Sequence, residues 1–313
     1  MSDTAFDKVA IIGIGLLGSS IAHAVKAYGG AGTVALWDVS DAVRERATQI
    51  VPGTVSETAQ EAVQDADCVI LCTPVGVLSE VTQLISGGLA PGAILTDVGS
   101  VKARAAEDMA GPAPDHVHVI PGHPIAGTEK SGPEAGFASL FQDAWHILTP
   151  LQTDDSSYDQ AVQRLASFWR RLGANVEMMD PTRHDRVLAI TSHLPHLIAY
   201  NIVSTAHDME SVEEGEVVKY SAGGFRDFTR IAASDPTMWR DVFLTNKDAV
   251  LETLGRFSED LAALQRAIRW GDGDTLMQEF TRARGIRAAI IDAGLDTEEA
   301  DFGRRQIDPK SES

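Results

Sequence analysis

The chain contains few cysteines and few aromatic residues for its length. Its 313 residues include two cysteines, and aromatic side chains make up 6% of the composition. Two cysteines are too few for a disulfide framework, which argues against the small disulfide-stapled folds. Cys68 and Cys72 lie four residues apart in one apolar run. We interpret them as small core side chains of a protein from a reducing compartment.

Basic residues are scarce relative to acidic ones. Lys and Arg total 26 against 45 Asp and Glu, which gives a formal net charge of −19. Such a field repels nucleic acid and anionic lipid, so the charge argues against a sequence-independent DNA or RNA binder. An anionic small-molecule substrate would need a local cluster of basic side chains.

Long hydrophobic runs are scarce as well. Residues 9–25 come closest to the length of a membrane span, but they include three glycines, two serines and a histidine. No other stretch approaches a spanning length by this reading. The first seven residues lack the positive start of a secretion signal. We therefore expect a cytoplasmic protein with no membrane partner.

Short apolar runs alternate with longer amphipathic segments from residue 8 to about residue 180. Most of the runs are continuously apolar, which is typical of parallel strands covered by helices on both faces. The pattern indicates an α/β fold with a doubly wound, Rossmann-type parallel sheet. It predicts strands at Val9–Ile14, Val34–Trp37, Cys68–Cys72, Ile94–Thr96, Val117–Ile120, Trp145–Leu148 and Asn175–Met178, with helices at Ser79–Ile85, Lys102–Ala110 and Asp159–Leu172.

Helical periodicity replaces the strand pattern after Asp180. Pro181 suits the first turn of a long helix that runs to about His207. Further helices are predicted near Val212–Tyr220, Phe225–Ala232, Pro236–Trp270 and Asp274–Asp292. An apolar stripe at three- and four-residue spacing predicts that 236–270 is one helix; its members are Leu244, Val250, Leu251, Leu254, Phe257, Leu261, Leu264 and Ile268. A stripe of this length favours burial against a second copy of the chain, in a homodimer.

A Gly-x-Gly-x-x-Gly motif follows the first predicted strand and opens a helical segment; it reads Gly13-Ile14-Gly15-Leu16-Leu17-Gly18. In such a motif the first glycine allows the tight turn, the second lets a pyrophosphate approach the backbone, and the third lets helix and strand pack closely. The N–H groups at the helix start are then available to the phosphates. The motif predicts a dinucleotide site.

Asp38 ends the second predicted strand, 20 residues beyond Gly18. A carboxylate at this place binds the ribose hydroxyls and repels a 2′-phosphate, so we expect NAD as the cofactor. NADP stays open because Arg44 or Arg46 could reach a 2′-phosphate. Thr73 and Pro74 follow the third predicted strand, at the sheet edge where ligands bind, and we assign them to the same site.

These signals divide the chain into three parts. We expect a dinucleotide-binding Rossmann domain at residues 1–180 and a helical substrate and dimerisation domain at 181–295. A polar tail at 296–313, expected to be mobile, completes the chain.

His123 lies in a Gly- and Pro-rich segment, Pro121–Gly132, that follows a predicted strand. Because glycine and proline fix the path of a short loop, the position of this side chain is constrained. Histidine changes protonation near neutral pH, so His123 is a candidate catalytic base. For an isolated loop histidine, a structural role is the ordinary expectation.

The sequence around His123 resembles the prephenate/arogenate (cyclohexadienyl) dehydrogenase family of tyrosine biosynthesis. The resemblance rests on Gly-His-Pro-Ile-Ala-Gly-Thr-Glu at Gly122–Glu129 and Asp-Val-Gly-Ser-Val-Lys at Asp97–Lys102. The stretches Ser192–His196, Gly223–Ala232 and Ser234–Asp241 are similar to the same family, in the same order. It implies NAD-dependent oxidative decarboxylation of prephenate to 4-hydroxyphenylpyruvate, of arogenate to tyrosine, or both, with hydride leaving C4 and carbon dioxide leaving C1.

The resemblance also implies roles for single residues. His123 would take the proton of the C4 hydroxyl, and Ser100 would hydrogen-bond that hydroxyl or the nicotinamide end. Arg230 would hold a substrate carboxylate, a task that suits its planar fork. The other substrate-binding residues that it implies are His196, Glu129, Arg226 and Trp239. His193 and His196 lie three residues apart, but no cysteine or nearby acid completes a metal site, so we expect no metal.

Two other functions stay open at this point. A β-hydroxyacid dehydrogenase or imine reductase shares the two-domain plan, although such enzymes usually place a lysine on the long interdomain helix, where this chain offers His193 and His196. A non-catalytic NAD(H)-binding protein is the third hypothesis. The set His123, Ser100 and Arg230 argues against it, because a sensor needs no base beside the nicotinamide.

Overall fold

The computed structural model describes residues 4–128, 130–210 and 223–292. Glu129, the whole helix expected near Val212–Tyr220 and the whole tail 296–313 lie outside the described residues. The chain divides into two compact units. The first consists of Met1–Val203 with Ile231–Leu251, and the second of Ser204–Arg230 with Glu252–Ser313.

A six-stranded parallel sheet forms the centre of the first unit. Its strands stand in the order β3-β2-β1-β4-β5-β6, and every pairing within it is parallel. This arrangement confirms the doubly wound, Rossmann-type fold. The strands are β1 Phe6–Ile12, β2 Ala31–Trp37, β3 Thr54–Val55, β4 Cys68–Leu71, β5 Ile94–Asp97 and β6 His118–Val119.

Helices cover this sheet, and an apolar core lies on each of its faces. Along β1, Val9 and Ile11 belong to one core, whereas Ala10 and Ile12 belong to the other. Successive side chains of a strand point to opposite faces, so a strand covered on both sides is apolar throughout. Cys68 packs in the first core, as expected. The helices are α1 Leu16–Tyr28, α2 Asp41–Ile50, α3 Ala59–Val63, α4 Leu78–Ile85, α5 Ala103–Ala110 and α6 Ser156–Arg171.

A second, three-stranded sheet contains β7 Gly122–Pro124, β8 Trp145–Leu148 and β9 Asn175–Met178. β7 runs antiparallel to β8, with His123 opposite Ile147, and β8 runs parallel to β9. His123 therefore lies on a strand and not in a loop. β7 is not predicted from the sequence, because it has only three residues and two of them, Gly122 and Pro124, are typical of a turn.

α7 Pro181–Leu188 and α8 Leu194–Glu210 are joined by a π-helical turn at Ala189–His193. By length and composition alone, Pro181–Met209 could cross a membrane, with a mean hydropathy of 1.2. The expectation that no stretch other than residues 9–25 approaches a spanning length is therefore wrong by this criterion. The first half of this segment carries Asp185 and His193, which are both buried and hydrogen-bonded within the first unit. These contacts are those of a helix in a protein core.

The helix expected at 236–270 is two helices, so this prediction is wrong. They separate at Asn246, whose φ of −100° and ψ of 30° are not helical. Its side chain is buried and donates to the carbonyl oxygen of Asp185 at 2.9 Å. The break between the two helices therefore coincides with a buried hydrogen bond to a distant part of the chain. Leu244 consequently lies on the helix before the rest of the stripe. The helices of this region are α9 Gly223–Thr229, α10 Pro236–Thr245, α11 Lys247–Trp270 and α12 Gly273–Asp292.

The first unit extends beyond the boundary expected near residue 180. It includes α7, the start of α8, and α10. The physical reason is that these elements are buried against the sheet. Trp239 and Val242 of α10 belong to the second apolar core, and Asp185 of α7 binds the start of α5.

Candidate active site

The glycine motif lies between β1 and α1, and each of its three glycines meets a different environment. A Cβ on Gly13, whose φ is +101°, would lie 2.5 Å from the carbonyl oxygen of Cys72. A Cβ on Gly18 would lie 2.0 Å from the carbonyl oxygen of Gly13. A Cβ on Gly15 would meet no atom within 4 Å. The fold therefore requires glycine at the first and third positions, while the second borders open space.

The side chain of Asp38 is fixed beside this turn. Its Oδ2 accepts from the N–H of Ile14 at 2.8 Å, and its Oδ1 accepts from the N–H of Ser40 at 2.9 Å. A carboxylate oxygen that already accepts one hydrogen bond can accept a second, for example from a ribose hydroxyl. The structure thus brings the glycine turn and the acid at the end of β2 together, as the motif predicts.

Other groups at this edge also fit a dinucleotide. Gly15 precedes α1 and provides no side-chain cap, so the N–H groups of the first helical turn, beginning at Leu16 and Leu17, are oriented toward any phosphate held there. The hydroxyl oxygen of Thr73 is buried and has no hydrogen-bond partner among the described residues. Pro74 beside it is exposed. A bound dinucleotide would fill the open space beside Gly15. It would also accept from the N–H groups at the uncapped start of α1 and provide a partner for the hydroxyl of Thr73.

His123 belongs to a buried row of three polar side chains. Its Nδ1 lies 2.9 Å from Nε2 of His184, and Nδ1 of His184 lies 2.8 Å from Oδ1 of Asp185. The two rings meet edge to face, with centroids 5.1 Å apart. The exposed fraction is 8% for His123, 0% for His184 and 5% for Asp185. Water therefore has little access to these hydrogen bonds.

Asp185 also binds the start of α5. Its Oδ1 accepts from the N–H of Lys102 at 2.7 Å, and its Oδ2 accepts from the N–H of Ala103 at 2.9 Å. These N–H groups have no partner inside the helix, so the carboxylate satisfies them. A carboxylate that accepts through both oxygens is held in one orientation.

A second buried carboxylate fixes the position of β7. Nζ of Lys102 donates to Oδ2 of Asp97 at 2.5 Å and to the carbonyl oxygen of Gly122 at 2.7 Å. The N–H of Gly122 donates back to Oδ1 of Asp97 at 3.2 Å. Both charged side chains are fully buried. The residue before His123 is therefore anchored through both its N–H and its carbonyl group.

The surroundings keep His123 neutral. Burial lowers the pKa of its imidazole well below the usual value of 6.5; a positive charge on His184 would lower it further, and Lys102 does so as well. Burial likewise lowers the pKa of His184, which Asp185 partly offsets, and lowers the pKa of His193 to about 4. A neutral imidazole has one unprotonated nitrogen and can accept a proton. The site therefore holds a histidine in the form that a general base requires.

His196 and Trp239 form a stack beside this group. Their ring centroids lie 3.7 Å apart at an interplanar angle of 24°. Nδ1 of His196 lies 2.9 Å from the carbonyl oxygen of Ser192, so this nitrogen carries a proton and donates to that oxygen. Trp239 is buried and also meets the edge of His193, whose Nδ1 lies 3.1 Å from Nδ2 of Asn246. The backbone of Ser100 approaches His193 and raises its pKa against the effect of burial.

The first unit thus joins His123, Ser100, His196 and Trp239 to one network. Arg226 and Arg230 belong to the second unit, where Arg226 is exposed on α9 and Arg230 is half-buried at the turn that follows. Glu129 lies outside the described residues. Five residues of the network were not assigned from the sequence: Asp97, Lys102, His184, Asp185 and Asn246. Asp97 and Lys102 are the ends of a motif that was identified, whereas the other three have no local signal.

Two family models match most of the chain. The model described as "Prephenate dehydrogenase, nucleotide-binding domain" matches residues 21–178. The model described as "Prephenate dehydrogenase, dimerization domain" matches residues 180–282. The two matches follow one another along the chain, and each is longer than 100 residues.

Individual relatives agree with the family models. The chain is 43% identical over 288 residues to the cyclohexadienyl dehydrogenase of Zymomonas mobilis, covering 92% of this chain and 97% of that one. Among solved structures, it is similar to prephenate dehydrogenase from Aquifex aeolicus in complex with hydroxyphenyl propionate and NAD+. That likeness has a TM-score of 0.82 at 33% identity and covers 91% and 98% of the two chains. The chain is also similar to Synechocystis arogenate dehydrogenase, with a TM-score of 0.74 at 25% identity. This likeness covers 90% of this chain and 99% of that one.

Substitutions at two glycines separate cofactor binding from folding. In Gly15→Ala the new methyl group enters open space, so we expect the free energy of unfolding to change by less than about 1 kcal/mol while the Kd for NAD rises about tenfold or more. In Gly18→Ala the methyl group meets backbone, so we expect a loss of stability of about 1–3 kcal/mol. Urea unfolding and NAD titration measure both effects. Unchanged NAD binding by Gly15→Ala would contradict the assignment of the turn.

Removal of one partner of the buried ion pair tests its structural role. Lys102→Met leaves Asp97 as an unpaired buried charge, so we expect a loss of about 3–5 kcal/mol in the free energy of unfolding. Arg104→Met, two residues along, removes an exposed partner of Glu107 and Asp108 and serves as the matched control. Its stability should stay close to that of the unsubstituted protein. Urea unfolding that gives equal losses for the two variants would contradict this role.

Proposed function

The chain belongs to the prephenate dehydrogenase family, and we propose that it catalyses NAD-dependent oxidative decarboxylation of prephenate, arogenate or both. The observation that carries the proposal is His123, a buried neutral imidazole anchored where β7 begins. The fit of the glycine turn, Asp38 and Thr73 to a dinucleotide supports NAD as the cofactor.

In this mechanism the protein provides one base. NAD, when bound, supplies the group that accepts a hydride. His123 accepts the proton of the C4 hydroxyl, so that the O–H bond breaks and an N–H bond forms on the imidazole. The electron pair of the C4–H bond leaves as hydride, and a C4 carbonyl develops. The bond from C1 to its carboxylate then breaks, carbon dioxide departs, and the ring becomes aromatic with return of a proton to the oxygen. Aromatisation drives this last cleavage, so no second base is required.

The surroundings of Asp38 favour NAD over NADP. Arg44 donates to the carbonyl oxygen of Asp38 at 2.5 Å and forms an ion pair with Asp41. Nε of Arg46 lies 2.8 Å from Oε1 of Glu134. Both arginines that could have reached a 2′-phosphate are thus engaged by other groups, and the carboxylate of Asp38 would repel that phosphate.

We further propose that Ser100 is catalytic and hydrogen-bonds the C4 hydroxyl or the nicotinamide end. Arg230 holds a substrate carboxylate, and the other substrate-binding residues are His196, Glu129, Arg226 and Trp239. Residues 219–247 contain five basic and three acidic side chains, so this segment has a net charge of +2, whereas the whole chain has a net charge of −19. Arg230 lies within this segment, which suits an anionic substrate.

We propose a cytoplasmic homodimer as the working form of the enzyme. Within the helical region, α11 and α12 expose large apolar side chains that a second copy would cover: Leu261, Ile268, Trp270, Met277, Phe280 and Ile286. The match of residues 180–282 to a dimerization-domain model supports this assembly.

One assay tests the proposed activity. Reduction of NAD+ and of NADP+ is followed spectrophotometrically with prephenate and with arogenate, in all four combinations. We expect turnover with NAD+ and at least one substrate, and weaker turnover with NADP+. Absence of turnover in all four combinations by a folded, NAD-binding protein would overturn the proposal.

Replacement of His123 tests the base. We expect His123→Asn to lower kcat by about 10²–10⁴-fold, with a small change in KM, because the proton of the hydroxyl loses its acceptor. His118→Asn on β6 is the matched control, since that ring contacts Ser157 and Tyr158 of α6 instead. Near-normal kcat in His123→Asn would remove this residue from the mechanism.

Replacement of Arg230 tests the carboxylate site. We expect Arg230→Gln to weaken substrate binding by about 2–5 kcal/mol, as when a buried charge loses its partner, and to leave the KM for NAD unchanged. Arg282→Gln on α12 removes an exposed partner of Glu279 and is the control. Steady-state kinetics with varied substrate measures the effect. An unchanged substrate KM would mean that the carboxylate is held elsewhere.

A further inference from the structure

We infer that His184 and Asp185 are positioning residues for His123: they fix its tautomer with Nε2 as the proton acceptor, and they stabilise the positive charge that it gains in the reaction. The inference rests on the proposed function for its catalytic consequence. The hydrogen-bond geometry that carries it is independent of that function.

The direction of the hydrogen bonds follows from Asp185. Its carboxylate accepts the two N–H groups at the start of α5, so it acts as an acceptor toward His184 as well. Nδ1 of His184 therefore carries a proton, and Nε2 of its neutral ring is unprotonated. That nitrogen can only accept, so Nδ1 of His123 must be the donor. Nε2 of His123 is then the lone-pair nitrogen of the neutral ring.

The opposite arrangement has a high cost. If Nδ1 of His123 accepted, Nε2 would carry the proton and the ring could not act as a base at that atom. His184 would then have to donate from Nε2, and its unprotonated Nδ1 would face a carboxylate oxygen. Two acceptors 2.8 Å apart and buried from water repel each other. The structure thus selects one tautomer for both rings.

The same contacts serve the charged state. When Nε2 of His123 takes the proton of the substrate hydroxyl, the ring becomes an imidazolium that still donates from Nδ1 to His184. His184 in turn donates to the negative Asp185. The other ionisable groups that change the pKa of His123 are Lys102, His146 and His193, and each of them lowers it. The charge of Lys102 is balanced by its ion pair with Asp97. Asp185 is therefore the carboxylate connected to the imidazolium by hydrogen bonds, in a site where burial strengthens electrostatic interactions.

Two substitutions at His184 separate positioning from packing. Phenylalanine keeps a ring but removes both hydrogen bonds. Glutamine can accept through Oε1 and donate through Nε2, so it can reproduce both. We expect His184→Phe to lower kcat by about 10- to 100-fold, the change for loss of one hydrogen bond to a charged group, with KM values within about threefold. We expect His184→Gln to recover most of this loss.

The pH profile adds a result that packing alone would not produce. The acid limb of kcat/KM reports the base of the free enzyme. In His184→Phe and in Asp185→Asn the imidazolium of His123 loses its link to a negative charge, so the limb should move to lower pH. His146→Phe is the control for loss of a buried histidine ring. Its ring nitrogens have no hydrogen-bond partner among the described residues, and its ring stacks on Trp169. Its limb should move less than that of His184→Phe.

A measurement on the unsubstituted protein tests the tautomer without turnover. Nitrogen-15 NMR of histidine-labelled protein distinguishes Nδ1–H from Nε2–H rings, with assignment from the His123 and His184 variants. We expect Nδ1–H for both residues. An Nε2–H ring at His123, or equal kcat and an unmoved acid limb in His184→Phe and His184→Gln, would overturn the inference. Failure of the four-way activity assay with the expected tautomers present would overturn the proposed function instead.

Discussion

The ion pair between Lys102 and Asp97, with Nζ and Oδ2 2.5 Å apart and both side chains fully buried, joins the parallel sheet to the strand that carries the base. Asp97 ends β5, while Lys102 precedes α5 and also binds the carbonyl oxygen of Gly122. Burial of two charges costs several kcal/mol each, and their attraction and added hydrogen bonds offset that cost. A hydrophobic pair of the same volume could fill this space. It could not bind both the N–H and the carbonyl group of the residue before His123.

Asp185 extends the same principle to the helical part of the first unit. One carboxylate satisfies the start of α5 and orients His184, so α7 is placed against the sheet by the contacts that serve the site. Asn246 adds a bond to the backbone of Asp185 and one to His193. These polar contacts explain why the compact unit includes α7 and α10, although the sequence changes from strands to helices near residue 180.

The features that could be predicted from the sequence are those with a local signal. Continuous apolar runs predicted the parallel sheet, and the spacing of three glycines and Asp38 predicted the dinucleotide turn. His123 was identified by the motif around it. His184 and Asp185 were not, because 61 residues separate His184 from His123 and no periodic pattern marks a contact between single side chains. The break at Asn246 was missed for the same reason: a buried amide with distant partners interrupts a stripe that by itself favours one helix.

The burial that creates the base also makes the fold sensitive to acid. Burial lowers the pKa of His123, His146, His184 and His193 in the folded state. In the unfolded chain each would titrate near the ordinary value of about 6.5. Below that pH the unfolded state binds more protons, so stability present above about 6.5 is lost as the pH falls toward the folded values. The neutral form of His123 and the loss of stability in acid therefore have one cause, which is burial. The hydrogen bond from His184 to Asp185 opposes this effect at His184, because it raises the pKa that burial lowers.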